Sequence, residues 1–170
     1  MIEWEQLKDM IKKPEPKKRV SIVSLCMVRE ERALYGMERF TGSRQAVETV
    51  RPLFALSDRE MVAVMSLDTL LRPIAAEVVA VGGLNKCYVD IGNIFKHAIL
   101  SNARCVICFH NHLTGNCTPS PEDCVLTNRI WEAGNILGIS LEDHIIIGSD
   151  QYFSFREQGA LDKPFSAGTA

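Results

Sequence analysis

The run RCVICFH, residues 104–110, sets Cys105, Val106, Ile107, Cys108 and Phe109 in unbroken succession, with no polar residue alternating between them. Successive side chains of a strand point to opposite faces, so a strand of this composition needs apolar cover on both sides. A chain that contains it is expected to fold as a central sheet with helices over each face, the α/β class. At 170 residues and 46% hydrophobic content, the chain is long enough for one domain of this kind with a substantial core.

The elements around that strand read in the same sense. Residues 1–18 read as a short helix followed by a Pro/Lys linker, and RVSIVSLCMVRE (19–30) alternates as a strand that forms a hairpin with RALYGM. Thr41, Gly42 and Ser43 offer a helix start, with Val47, Val50 and Phe54 on one face and Pro52 expected to end or kink the helix. EMVAVMSL (60–67) and RPIAAEVVAV (72–81) read as an antiparallel pair closed by Gly82 and Gly83. Asp90 can cap a helix whose apolar face is Ile91, Ile94, Phe95, Ala98 and Ile99. Ser120-Pro121-Glu122-Asp123 is a helix-start signature and Gly138 a stop. HIIIGS (144–149) and QYFSF (151–155) complete a last strand pair, and the tail DKPFSAGTA has little to bury and reads as mobile. The expected organisation is an N-terminal extension over 1–37, the main domain over 38–159 and a tail over 160–170.

Several function classes are disfavoured. The formal net charge of −2 supplies no global basic field for nucleic acid, and the cluster of Lys12, Lys13, Lys17, Lys18 and Arg19, broken by Pro14, Glu15 and Pro16, reads as a solvated linker. Trp4 and Trp131 are too scattered to make a base-stacking platform. No apolar run approaches the length of a bilayer span and the N-terminus carries acidic residues, so a soluble cytoplasmic protein is expected. The six cysteines (Cys26, Cys87, Cys105, Cys108, Cys117 and Cys124) are too irregularly spaced for a disulfide scaffold and read as reduced thiols. Cys105 and Cys108, three apart on a strand, face opposite ways and cannot readily share a metal.

Chemistry concentrates in HNHLTGNCTPSPED, residues 110–123. His110 and His112 at the end of a strand lie on the same face roughly 7 Å apart, close enough for two imidazoles to converge on one ion. Asp123 is a third candidate ligand, because the seven residues after His112 lead to Ser120 and to a helical turn that returns the carboxylate to the strand end. Two histidines and one carboxylate leave a fourth position for water, as catalytic zinc sites do. Such a water needs a base that is not itself a ligand. Glu60, at a strand entrance, can reach the rim of the sheet, whereas Glu77, mid-strand, is expected to face solvent on an edge. Plainer readings stand beside these. Ser120 is an ordinary N-cap to which Asp123 returns a bond, His144 reads as structural with the orientation of a ligand as its alternative, His97 as a core-edge or surface residue, and Cys117 and Cys124 as packing residues.

The spacing Glu60, His110-x-His112, seven residues, Ser120, two residues, Asp123 resembles the JAMM, or MPN-plus, metalloprotease motif. The flanking segments SDREMVAVMSLDTLLRPI, NIFKHAILSNA and LGISLEDHIIIGSDQYFSFREQG resemble the bacterial RadC-like branch of that family, whose unit is the JAB domain, over residues 38–159. The resemblance implies a cytidine-deaminase-like mixed β-sheet flanked by α-helices. It also implies zinc (Zn2+) held by His110, His112 and Asp123, Glu60 as general acid/base, and Ser120 steadying the oxyanion formed as metal-bound water attacks an amide carbonyl. The implied activity is that of a metallopeptidase or isopeptidase acting on an unidentified protein or peptide, with a homodimer left open and no nucleic-acid or membrane partner expected. A DNA-repair-associated role and a non-catalytic interaction module are the alternatives. Two departures from the RadC-like pattern, Leu113-Thr114 in place of Pro-Ser and VDIGNIF in place of a His-Pro-Arg-Glu-like segment, bear on loop rigidity and substrate contacts and touch no expected ligand. Residues 1–37 are too short for the helix-hairpin-helix segment many RadC proteins carry, and the His-x-Glu and Pro-Cys-x-x-Cys signatures of a deaminase do not occur.

Overall fold

In the computed structural model of the chain, residues 38–82 and 89–161, with the single positions 22, 24, 27, 28 and 34, are described. The expected N-terminal hairpin, the basic linker, Cys26, Cys87 and the tail beyond residue 161 lie outside the described residues. Helix α1 (Ser43–Phe54) precedes strands β1 (Met61–Leu67) and β2 (Pro73–Val81). Helix α2 (Ile91–Leu100), strand β3 (Cys105–Asn111), helix α3 (Pro121–Leu137) and strands β4 (Ser140–Ile147) and β5 (Tyr152–Ser154) follow. The strands make one mixed sheet in the order β2-β1-β3-β4-β5, antiparallel at each junction except that of β3 with β4. A parallel pair needs a crossover, and α3 supplies it.

All seven residues of β3 are buried, as its composition requires. One side of the sheet sets Ala63, Met65, Leu67, Cys105, Ile107, Phe109, Ile145 and Ile147 against Ala46, Val47, Val50 and Phe54 of α1. The other sets Val62, Val64, Val106 and Cys108 against Ile94, Phe95 and Ala98 of α2 and Ile130 of α3. Each fully buried side chain of this size contributes about 1.5–3 kcal/mol, so the two layers together fix the sheet between its helices. Cys105 and Cys108 fall in opposite layers. Among the described residues no helix is long and apolar enough to cross a membrane.

Four details differ from expectation. Pro52, expected to end or kink α1, does not end it: the helix runs on to Phe54, which is buried, and Ala55 N–H still reaches Arg51 O at 3.1 Å. Ile99 is 52% exposed, while His97, expected at the core edge or the surface, is buried and its Nδ1 meets Ser66 Oγ at 3.0 Å. Burial keeps the His97 imidazole below its usual pKa, against the charge of Glu77. Strand β4 begins at Ser140, four residues before His144, because Gly138 closes α3 in the left-handed region (φ 71°) and the chain turns at once into the sheet. The register then slips, pairing Val106 with Leu141 but Ile107 with Asp143, so Glu142 is skipped and Asp143 turns to the α1 side. There its carboxylate accepts from Ser43 Oγ (2.8 Å), Ser154 Oγ (2.6 Å) and Arg156 N (3.0 Å), tying α1 and β5 to β4. Burial pushes this carboxyl upward in pKa, and the donors work against it.

His144, also in β4, is fully buried, stacks on Phe155 with ring centroids 5.1 Å apart, and bonds Thr127 Oγ of α3 at 2.6 Å through Nδ1. Burial, aided by the charge His110 can carry, brings its pKa from 6.5 down to about 3. An unfolded chain therefore binds a proton here that the fold rejects between those two values. The stability tied to this group is complete above pH 6.5 and is lost as pH falls through the window toward 3. Unfolding free energies measured by urea titration at pH 7 and pH 5 should fall for the wild type and fall less for His144→Asn. Equal falls in the two proteins would show that His144 is not the titrating group.

The turn after β4 is pressed against the loop after β3. A Cβ on Gly148 would lie 2.3 Å from Gly115 O, a backbone atom that cannot swing aside. Gly148→Ala should therefore cost about 1–3 kcal/mol of stability, as overpacking does, in a urea denaturation experiment.

Candidate metal centre

Strand β3 ends where α3 begins to point back at it. His110 is the last β3 residue paired with β1, opposite Val62, and on its other side it pairs with Ile146. His112 continues the line, its N–H bonded to Ile147 O at 3.0 Å. Two residues apart, the histidines share a face, with ring centroids 4.9 Å apart and planes near perpendicular at 88°.

Asp123 reaches them from α3 because the helix start is doubly capped. Ser120 Oγ accepts from Asp123 N at 3.1 Å, and Asp123 Oδ2 accepts from Ser120 N at 2.8 Å and from the Ser120 hydroxyl at 2.6 Å. Pro121 occupies the first helical position, where no N–H is needed. The carboxylate so fixed meets His110 Nδ1 with Oδ1 at 2.8 Å and His112 Nε2 with Oδ2 at 3.2 Å. Burial alone would push its pKa up, yet the bonds from His110, His112 and Ser120 together outweigh burial and hold the carboxyl far below the ordinary carboxylate range. The same bond to Asp123, helped by Asn116 O at 2.8 Å from Nδ1, raises the pKa of His112 against a smaller effect of burial. A carbonyl at Nδ1 fixes the ring so that Nε2 faces the cluster.

His110, His112 and Asp123 each offer a ligand atom, and these atoms lie within 4.8 Å of one another. His110 Nε2 is buried without a hydrogen-bond partner. A buried nitrogen left in this way costs about 1–3 kcal/mol unless something binds it. Two imidazoles and an ionised carboxylate are a donor set for a divalent transition metal, and the group could hold such an ion.

Glu60 stands one residue before β1 and two before Val62, so its side chain shares the histidines' face of the sheet. Its Oε2 is 3.9 Å from His110 Nε2 and its side chain is 26% exposed. Glu77 is exposed on the edge strand β2, opposite Val64, and is not part of the cluster. Behind Asp123, Thr127 donates to the Asp123 carbonyl at 2.7 Å and joins it to His144. Cys117 and Cys124 are half-buried free thiols. Sequence reasoning overlooked Thr127 and Asn111. Thr127 could have been found as the residue one helical turn after Asp123, and Asn111 as the one residue between the two histidines that must face the other way.

The model of the RadC-like JAB domain family matches residues 40–160. Similar proteins include a UPF0758 protein of Listeria monocytogenes serotype 4b, 43% identical over 114 residues that make up 67% of this chain and 51% of the relative. A UPF0758 protein of Pelobacter propionicus is 42% identical over 130 residues, 76% of this chain and 57% of its own. One from Thermotoga maritima is 45% identical over 104 residues, 61% and 47% of the two chains. The chain thus spans about half the length of the curated relatives it matches. A sheet whose central strand carries His110 with His112 just past its end, a capped helix that carries Asp123 to them and a family match covering all of these residues lead to one conclusion: this chain belongs to the RadC-like JAB-domain family.

Proposed function

We propose that the chain is a zinc-dependent hydrolase of amide bonds, a JAMM-type metallopeptidase or isopeptidase, in which His110, His112 and Asp123 hold the ion. The observation that carries this reading is the carboxylate of Glu60, 3.9 Å from the unpartnered nitrogen of His110 and outside the ligand cluster. When bound, zinc supplies a Lewis acid that polarises a carbonyl and makes water acidic enough to react near neutral pH.

The chain's own residues do the rest. Glu60 accepts the proton of the attacking water and returns it to the leaving nitrogen. Its partial exposure leaves it open to exchange that proton with solvent. Asp123 stays ionised because Ser120, His110 and His112 all donate to it, so its carboxylate is available as a charged oxygen ligand for a cation. Ser120 is assigned to the developing oxyanion. Its hydroxyl hydrogen is directed at Asp123 Oδ2 at 2.6 Å, and it can turn toward an oxyanion while Ser120 N still holds that oxygen at 2.8 Å. The substrate is a protein or peptide. The DNA-associated reading draws no support from a chain of formal net charge −2.

Metal analysis of purified wild-type protein should give about one zinc per chain, the occupancy of a single site with three protein ligands, and His112→Ala should abolish it. Glu60→Gln should keep its zinc and retain bound protein or peptide that the wild type cleaves, with hydrolysis of that material slowed about 100- to 10,000-fold. Ser120→Ala should slow it about 100- to 1,000-fold if the hydroxyl serves the oxyanion. Loss of zinc from Glu60→Gln would make Glu60 a ligand and remove it from the role of base.

A further inference from the structure

The β1–β3 ladder runs in register from Leu67 opposite Cys105 to Val62 opposite His110 and then stops. The next rung is made by a side chain. Asn111 Oδ1 accepts Met61 N–H at 2.6 Å, and Asn111 Nδ2 donates to Arg59 O at 3.2 Å. Asn111 is 6% exposed, so both bonds are sheltered from water. Its carboxamide is wedged between the strands and takes the place of a backbone pair.

Those two partners belong to the two peptide units that flank Glu60. Arg59 O is part of the peptide before it and Met61 N part of the peptide after it, and the carbonyl of that second unit accepts Gly82 N at 2.7 Å. Among the described residues no hydrogen bond reaches the Glu60 carboxylate itself, and His110 Nε2 stands 3.9 Å from it. Where the carboxylate stands therefore depends on the backbone on either side of Glu60, and one side chain grips that backbone at both points.

We propose that Asn111 is a positioning residue for Glu60: by clamping both peptides of Glu60 while its neighbours His110 and His112 face the metal cluster, it fixes the carboxylate relative to the ligands. The inference rests on the reading of Glu60 as the base beside a zinc ion. Asparagine is the side chain of this length that accepts from one partner and donates to the other. Aspartate keeps the bond to Met61 but sets an oxygen against Arg59 O, and alanine keeps neither.

The test uses the full chain labelled with carboxyl-13C glutamate, titrated with zinc chloride and followed by NMR, with the Glu60 resonance assigned by its absence in Glu60→Gln. In the wild type this resonance should shift on addition of one equivalent of zinc. In Asn111→Ala the shift should fall to less than half, and the Met61 amide should exchange about tenfold faster, the loss expected for one sheltered hydrogen bond. Zinc affinity, measured by chelator competition, should stay level, without the roughly ten- to hundredfold loss that follows removal of a ligand's own partner. Asn111→Asp, which preserves volume and the bond to Met61, should keep Met61 protected yet reduce the Glu60 shift, and it decides the matter if the alanine variant does not fold. A wild-type-sized Glu60 shift in the folded variants overturns the role of Asn111 and leaves the zinc reading standing. No Glu60 shift in the wild type itself overturns the placement of Glu60 beside zinc.

Discussion

Everything at this site depends on the hydrogen bonds of one carboxylate. Asp123 closes the cap of α3 through Ser120 with Oδ2 and engages His112 with that same oxygen and His110 with Oδ1 at the end of β3. A good cap contributes about 1 kcal/mol to its helix, and bonds to a charged group about 1.5–3 kcal/mol each. Those gains offset the desolvation of a buried charge, which by itself would drive the carboxyl toward its neutral form. The partial positive charge at a helix start acts in the same direction. The helix cap, the join between helix and sheet and the charge of the ligand cluster are therefore a single arrangement.

That arrangement lies where the sheet can spare it. The parallel strands β3 and β4 both end at this rim, the place where open α/β sheets leave a crevice for ligands. Below it β3 is wholly buried and held on both faces, so the histidines extend from a rigid base. Around it the backbone is gripped by side chains in place of ladder bonds, Asn111 on the β1 side and the His112 imidazole on Asn116 O, and the backbones of Gly115 and Gly148 press together in the turn after β4. Thr127 and His144 extend the support one layer behind Asp123. A polar cluster surrounded in this way has little freedom to rearrange, and the ordering cost is met during folding.

Much of this was legible in local patterns. The unalternating run at 105–109 called for cover on both faces, and the structure supplies α1 on one and α2 with α3 on the other. The cap at Ser120, the stop at Gly138 and the shared face of His110 and His112 follow from spacings of three residues or fewer, over which backbone geometry is nearly independent of the rest of the chain. What escaped was decided at a distance. That α1 runs past Pro52 to a buried Phe54, and that His97 lies in the core and not at its edge or the surface, where Ser66 of β1 meets it, are set by packing between elements. The polar start of β4 reads as loop until Asp143 finds Ser43 and Ser154, respectively 100 and 11 residues away.

The sequence by itself determined the chemistry on offer: which residues can ligate, which can cap, and that a strand buried on both faces must carry the histidines. Local geometry was enough for this, since helix turns and strand alternation repeat over a few residues. Only the tertiary structure decided that the carboxylate of residue 60 stands 3.9 Å from His110, that His144 is sealed under Thr127, and that Asn111 grips the backbone on both sides of Glu60. Those distances depend on how strands and helices far apart in the chain come to rest against one another, and no spacing along the sequence encodes them.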